Sequence, residues 1–177
     1  MHDRIRKAAN KEGYSEEDGS LLVIPYGAEQ TERIREELKA HYTKFRATLA
    51  SSDALIKLAN GQATTIVAIL SFCSVPNPQQ SITSLVSHVL APGGTLFFYE
   101  HVMSPIPSVA RLQRLLGKIW IVFFDGCVLG QDTVRMVREA GDSCGGWESM
   151  NMTAVGDEGA DVDSLFPHVV GTCVKKT

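Results

Sequence analysis

The stretch that most limits how this chain can fold is TTIVAILSFCSVPNPQQSITSLVSHVLAPGGTLFFYEH, residues 64–101. It holds two short apolar runs, 65–72 and 95–99, rich in Ile, Val, Leu, Phe and Tyr and lacking a polar face. Such runs read as strands buried on both sides of a parallel sheet. Between them, residues 79–90 carry Ile82, Leu85, Val86, Val89 and Leu90 at helical spacing. Pro76-Asn77-Pro78 closes the first run, and Ala91-Pro92-Gly93-Gly94 stops the helix and turns into the second. The pattern predicts a strand–helix–strand unit with a right-handed crossover in an α/β sheet.

The flanks fit around this unit. Residues 2–11, 31–42, 53–59 and 131–140 read as helices, most of them ended by a glycine. Residues 21–24 read as a short strand closed by Pro25-Tyr26-Gly27, and 44–49 as a loop or a short strand. Residues 109–124 place Val109, Leu112, Leu115, Leu116, Ile119, Trp120 and Phe123 at spacings of three and four, which predicts a buried helix. Residues 147–154 and 167–174 predict a closing antiparallel hairpin around an acidic turn at 156–163. At 177 residues a single domain, 1–177, with a real core is expected.

Composition excludes some functions. The net charge of -3 leaves no electrostatic footprint for nucleic acid or an anionic membrane. The first twenty residues are mostly polar and do not read as a signal peptide. Cys73, Cys127, Cys144 and Cys173 form no CxxC pair, and no His stands at a zinc-ligand spacing from them. They read as free thiols of a reducing compartment, so a cytoplasmic protein without a metal is expected.

These residues carry a resemblance. LSFCSVPNP followed by VSHVLAPGGTLFFYEHV resembles the middle of class I S-adenosylmethionine-dependent methyltransferases. The likeness is to the small-molecule branch that includes ubiquinone-pathway and thiol methyltransferase-like proteins. There a helix ending in Leu-x-Pro-Gly-Gly leads into a strand ending in Glu-His; here these are Leu90, Pro92, Gly93, Gly94, Glu100 and His101. FFDGCVLGQDTVRMVREAG, residues 123–141, is similar to the family's Asp-Gly-Cys segment and following helix. PHVVGTCVKK resembles its last strand, and VIPYGAEQ its third strand with the acidic motif after it. The resemblance implies a Rossmann-like α/β fold, methyl transfer as the activity and S-adenosylmethionine as the cofactor.

One part of the family pattern is absent. Its first strand is followed by a Gly-rich turn that wraps the cofactor, and its second ends in an acid that holds the ribose. Residues 1–20 offer only Gly13 and Gly19, with no strand before them. The expectation is an incomplete fold with the equivalents of strands three to seven, lacking the first two, that binds the cofactor weakly or not at all on its own. In the family's order, 3-2-1-4-5-7-6, losing strands one and two bares an edge of the 65–72 strand. Unpaired buried backbone groups cost about 1–3 kcal/mol each, and a bare apolar edge invites pairing. Two repairs are expected: strand 21–24 pairs directly with 65–72, or a second chain covers the edge as a homodimer or hetero-oligomer.

The candidate site residues follow. Glu100 and His101 end a strand, where open α/β sheets place their sites, and are the candidate catalytic pair, with His101 as general base; His101 reads equally as a structural histidine satisfied by a loop carbonyl. Asp125, Cys127, Phe72, Cys73 and Trp120 are candidates for a substrate pocket that takes a small apolar metabolite. Each also reads as ordinary structure: a helix-ending turn for Asp125 and Cys127, core packing for Phe72, Cys73 and Trp120. By the resemblance, Glu29 and the adjacent Ala28 meet the adenine of the cofactor; Glu29 also reads as a helix N-terminal acid. Three functions remain open: methyl transfer, a cyclisation or isomerisation that needs no methyl donor, and a non-catalytic partner of a longer methyltransferase.

Overall fold

The computed structural model describes residues 2–46, 53–124, 126–155 and 165–177. In chain order the elements are α1 (His2–Lys11), α2 (Thr31–Phe45), α3 (Asp53–Ala59), β1 (Ala63–Ile69), α4 (Pro78–Ser84), β2 (Leu90–His101), α5 (Pro107–Phe123), α6 (Thr133–Asp142), β3 (Trp147–Val155) and β4 (His168–Lys175). α4 runs on through a π-helical turn, Leu85–Val89, before β2 begins. The strands form one sheet in the order β1-β2-β4-β3, with β1 parallel to β2 and the other two pairs antiparallel. The strand–helix–strand unit and the closing hairpin are both present. The order is the 4-5-7-6 portion of the sheet that the resemblance implies.

The central unit folds as it does for local reasons. Pro78 opens α4 at a position where a missing N–H costs nothing. Between Ala63↔Leu90 and Thr65↔Thr95 the register shifts, so residues 91–94 loop out of the ladder. Gly93 sits there at φ +70, and a Cβ on Gly94 would lie 2.7 Å from the Ala91 carbonyl oxygen. The Pro-Gly-Gly element is therefore a backbone requirement of the helix-to-strand turn. The carbonyls left at the end of the π-helical turn are met by Lys175, whose Nζ donates to Val86, Ser87 and Leu90 at 2.7, 3.2 and 2.9 Å.

One face of the sheet carries the core. Ala68 of β1, Leu96 and Phe98 of β2 and Cys173 of β4 pack with Ile82, Val86 and Val89 below and Val137 and Ala140 of α6 alongside. Phe98 pairs across the ladder with Gly171, and a Cβ on that glycine would run into the Phe98 ring. α6 begins at Asp132, whose carboxylate accepts from the Arg135 N–H at 3.1 Å.

Three expectations are corrected. Residues 21–24 are extended but belong to no sheet, so they do not pair with β1, whose only ladder partner among the described residues is β2. A four-residue segment beside Pro25 makes too few ladder bonds to hold a strand by itself. The strand expected at 65–72 runs Ala63–Ile69 at the sheet edge, and Val67 and Ile69 are each 60% exposed. It is not buried on both faces, because no described helix covers its outer side. The helix expected to be buried at 109–124 forms as Pro107–Phe123, yet Leu115, Ile119, Val122 and Phe123 are exposed. Its only buried residues are Ala110 and Gln113. The 156–163 turn and part of 44–49 lie outside the described residues. Among the described residues no helix is long and apolar enough to cross a membrane.

Candidate functional site

The chain ends of β1 and β2 and the segment after α5 meet around a cavity of about 410 Å³. Leu70, Cys73, Ser74, His101, Trp120, Phe124 and Cys127 line it. Parallel strands deliver their C-terminal ends to the same rim, which places Leu70–Ser74 beside His101.

Glu100 organises that rim from behind. Fully buried, it accepts from the Ser71 and Phe72 N–H groups at 2.9 and 3.0 Å through one carboxylate oxygen. These bonds fix a turn in which Leu70 adopts φ +48, a left-handed conformation unusual for a branched side chain. Leu70 keeps its ladder bond through this kink, donating to the Tyr99 carbonyl at 2.8 Å. The kink swings Phe72 into the core and turns Cys73 toward the cavity. Burial raises the Glu100 carboxyl above its usual range, with the Phe72 and Ser71 N–H groups working against that rise. Its other oxygen is buried without a partner.

The third wall is tied to the first two through the backbone. Val128 N–H donates to the Cys73 carbonyl at 2.9 Å, and Met103 N–H to the Gln131 carbonyl at 2.9 Å. Thr133 Oγ1 donates to the His101 carbonyl at 3.3 Å. Gln113 of α5, fully buried, accepts from Ser104 N–H at 2.8 Å and donates to the carbonyls of Val102 and Leu165. Trp120 stacks on Phe124 with ring centroids 3.6 Å apart and meets Phe166 at 5.0 Å, which makes a flat aromatic wall.

Polar groups share the cavity with those rings. Cys127 Sγ lies 3.2 Å from Cys73 Sγ. One ligand-type atom from each of Cys73, His101 and Cys127 falls within 4.8 Å of the others. Burial, then the contact with Cys127, pushes the Cys73 thiol up to about 12, so in the free site it holds its proton. Burial, then the charge of His168, lowers the His101 imidazole, whose Nδ1 is buried and has no hydrogen-bond partner. A neutral imidazole can accept a proton or ligate a metal.

The expected site residues divide. Cys73, His101, Cys127 and Trp120 come together on the cavity. Phe72 belongs to the core cluster, and Glu100 supports the rim without lining the cavity. Glu29 is exposed beside a separate shallow depression formed by residues 29–33, and its carboxylate folds over Gly27. Ala28 packs against the core. Asp125 lies outside the described residues. Leu70, Ser74 and Phe124 were missed: nothing in the sequence marks a leucine that takes a left-handed turn, and Phe124 reads as one more apolar residue of a run.

The described residues do not make a cradle for S-adenosylmethionine. Such a cradle needs glycines where a strand turns into a helix. The two strand-to-helix turns here, 70–77 and 102–106, contain none.

No family model matches the chain. It is 35% identical over 111 residues to the rat thiol S-methyltransferase TMT1B, a match covering 62% of this chain and 44% of that protein. It is 32% identical over 96 residues to the human thiol S-methyltransferase TMT1A, covering 54% of this chain and 39% of that one. The chain thus spans under half the length of the curated relatives it matches. Among solved structures it is similar to an O-methyltransferase family protein from Burkholderia thailandensis, at 12% identity and a TM-score of 0.41 over 82% of this chain and 41% of that one. About a third of the residues are shared across the matched region, so over that stretch the chain is similar to thiol S-methyltransferases.

Proposed function

We propose that this chain forms the acceptor-binding part of a small-molecule methyltransferase, and that its acceptor is a small apolar thiol. The observation that carries this is the cavity at the β1–β2 rim, lined by stacked aromatic rings and by an imidazole whose Nδ1 has no partner. The relatives' own names support the choice of a thiol. Leu70, Trp120 and Phe124 take the apolar body of the acceptor. A thiol reacts as its thiolate, and His101, kept neutral by burial, accepts the proton. Methyl transfer otherwise needs alignment above all. Because the described residues lack a cradle for the donor, it is held by residues other than these.

The glycine-free turns favour a second reading, a donor-independent isomerase or cyclase working by proton transfer at His101. The edge of β1 that no described residue pairs supports the further proposal that a strand from a second chain completes the sheet there.

Benzyl mercaptan is a suitable probe. It is expected to bind saturably and to quench the fluorescence of Trp120, with the quench lost in Trp120→Phe. Absence of saturable quenching overturns the thiol reading. Turnover of a ring-forming or isomerising substrate without any methyl donor would favour the second.

A further inference from the structure

We propose that Cys73, His101 and Cys127 form a binding site for a borderline-soft divalent ion of the zinc class, with a fourth coordination position open to the cavity. Three segments far apart in sequence converge to make the donor set. Cys73 comes from the turn after β1, His101 from the last residue of β2, and Cys127 from the loop after α5. Two sulfurs and one imidazole nitrogen select zinc over magnesium or calcium, which take oxygen ligands.

The geometry is close to what such an ion needs. Bonds of about 2.0–2.3 Å in a tetrahedral site place ligand atoms roughly 3.3–3.8 Å apart. The two sulfurs stand at 3.2 Å and all three donors within 4.8 Å. Small side-chain rotations close the difference. The supporting backbone is already fixed: Glu100 holds the turn that carries Cys73, Val128 N–H binds the Cys73 carbonyl, and Thr133 binds the His101 carbonyl. Ligands on a braced frame lose little freedom when the ion arrives.

Two further observations point to a ligand. His101 Nδ1 is a buried polar atom with no partner. Two buried thiols also face each other at 3.2 Å, close to the spacing of two sulfur ligands on one ion. On binding, each thiol gives up its proton to solvent and its sulfur forms a bond to the ion, so the dication is neutralised by two thiolates. The fourth position faces Leu70, Ser74, Trp120 and Phe124. If the acceptor is a thiol, an assignment that rests on the methyl-transfer reading, its sulfur binds there. Its proton then goes to solvent; the base role of His101 belongs to the metal-free site, and in the metal-bound site the imidazole is a ligand.

Cobalt(II) substitution of the reduced full chain tests the site. One equivalent is expected to bring near-ultraviolet thiolate-to-cobalt charge-transfer bands and intense visible bands of a tetrahedral ion. Both disappear on addition of zinc. Calorimetry in two buffers of different ionisation enthalpy should show two protons released per zinc. Cys127→Ser, Cys73→Ser and His101→Ala are each expected to weaken zinc binding by more than the roughly 10–100-fold that loss of an outer-shell partner costs, while Cys144→Ser leaves it unchanged. Circular dichroism checks that each variant folds; the proton count on the unaltered chain decides the matter if the cysteine variants do not. Absence of charge-transfer bands, no net proton release, or bands that depend on Cys144 overturns the proposal. Benzyl mercaptan added to the cobalt form separates the two readings: shifted visible bands support a thiol in the open position, whereas unshifted bands remove the thiol and leave the metal site standing.

Discussion

The two sides of this sheet are built from the same kinds of residue and end in opposite environments. On one, Phe98, Leu96, Val86 and Val137 interlock between β2, β4, α4 and α6 and exclude solvent. On the other, Val67 and Ile69 of β1 stand in the open; α5 likewise turns Leu112, Leu115, Ile119 and Val122 outward, at the same helical spacing that buries Val137 in α6. A periodic apolar stripe announces that a face wants cover. It does not say that the cover is present. The difference between the two sides is one of partner, not of residue type, and it can be tested by asking what the same change costs on each.

The largest effect is expected at the centre of the covered side. Phe98 is fully buried and its ring fills the space above Gly171. Phe98→Ala should cost about 3–5 kcal/mol from lost burial and the cavity left behind. Urea unfolding measures it, and a loss under 1 kcal/mol would mean this face is not the core. At the seam between the two sides, Glu100→Ala strands the Ser71 and Phe72 N–H groups. It should cost about 1–3 kcal/mol. It should also release the Leu70 turn, seen as accelerated amide exchange at residues 70–73. Unchanged exchange would show that the kink holds without the carboxylate.

Much of this frame was legible beforehand because it is local. The helices at 2–11 and 53–59, the strand–helix–strand unit and the closing hairpin all follow from periodicity and from the residues that interrupt it. What escaped was whatever depends on distant partners. Residues 21–24 carry strand-like residues but find no neighbouring strand, and 109–124 carries a core-like stripe with nothing described over it. Among the site residues, His101 and Cys73 could be placed at strand ends. Their meeting with Cys127 could not be read from spacing, because 54 residues separate the two cysteines and the contact is made by the fold. The support that Glu100 gives the rim was not legible for a related reason. A carboxylate at a strand end reads as chemistry, and only the backbone N–H groups folded over it show that it is a support.

The matched pair Val137→Thr and Val122→Thr sharpens the comparison most. Both residues sit in helices, and valine and threonine have similar helix propensities, so local terms cancel. Val137 is 0% exposed and Val122 77% exposed. Threonine keeps the shape of valine but brings a hydroxyl. At 137 that hydroxyl enters a closed core, and the cost should be about 1–2 kcal/mol, eased by a bond to the carbonyl four residues back.

At 122 the hydroxyl meets water, and the change should lie within about 0.5 kcal/mol, as for other exposed positions. Both are read from unfolding curves at two protein concentrations tenfold apart. If Val122→Thr matches Val137→Thr, or if its effect grows with concentration, α5 is covered in solution by another surface. Binding that favours the folded state makes stability depend on concentration, and the outer face of α5 would then be an interface. If the cost stays small at both concentrations, the apolar stripe of α5 faces solvent in the isolated chain, and the contrast between the two sides stands as a property of the fold itself.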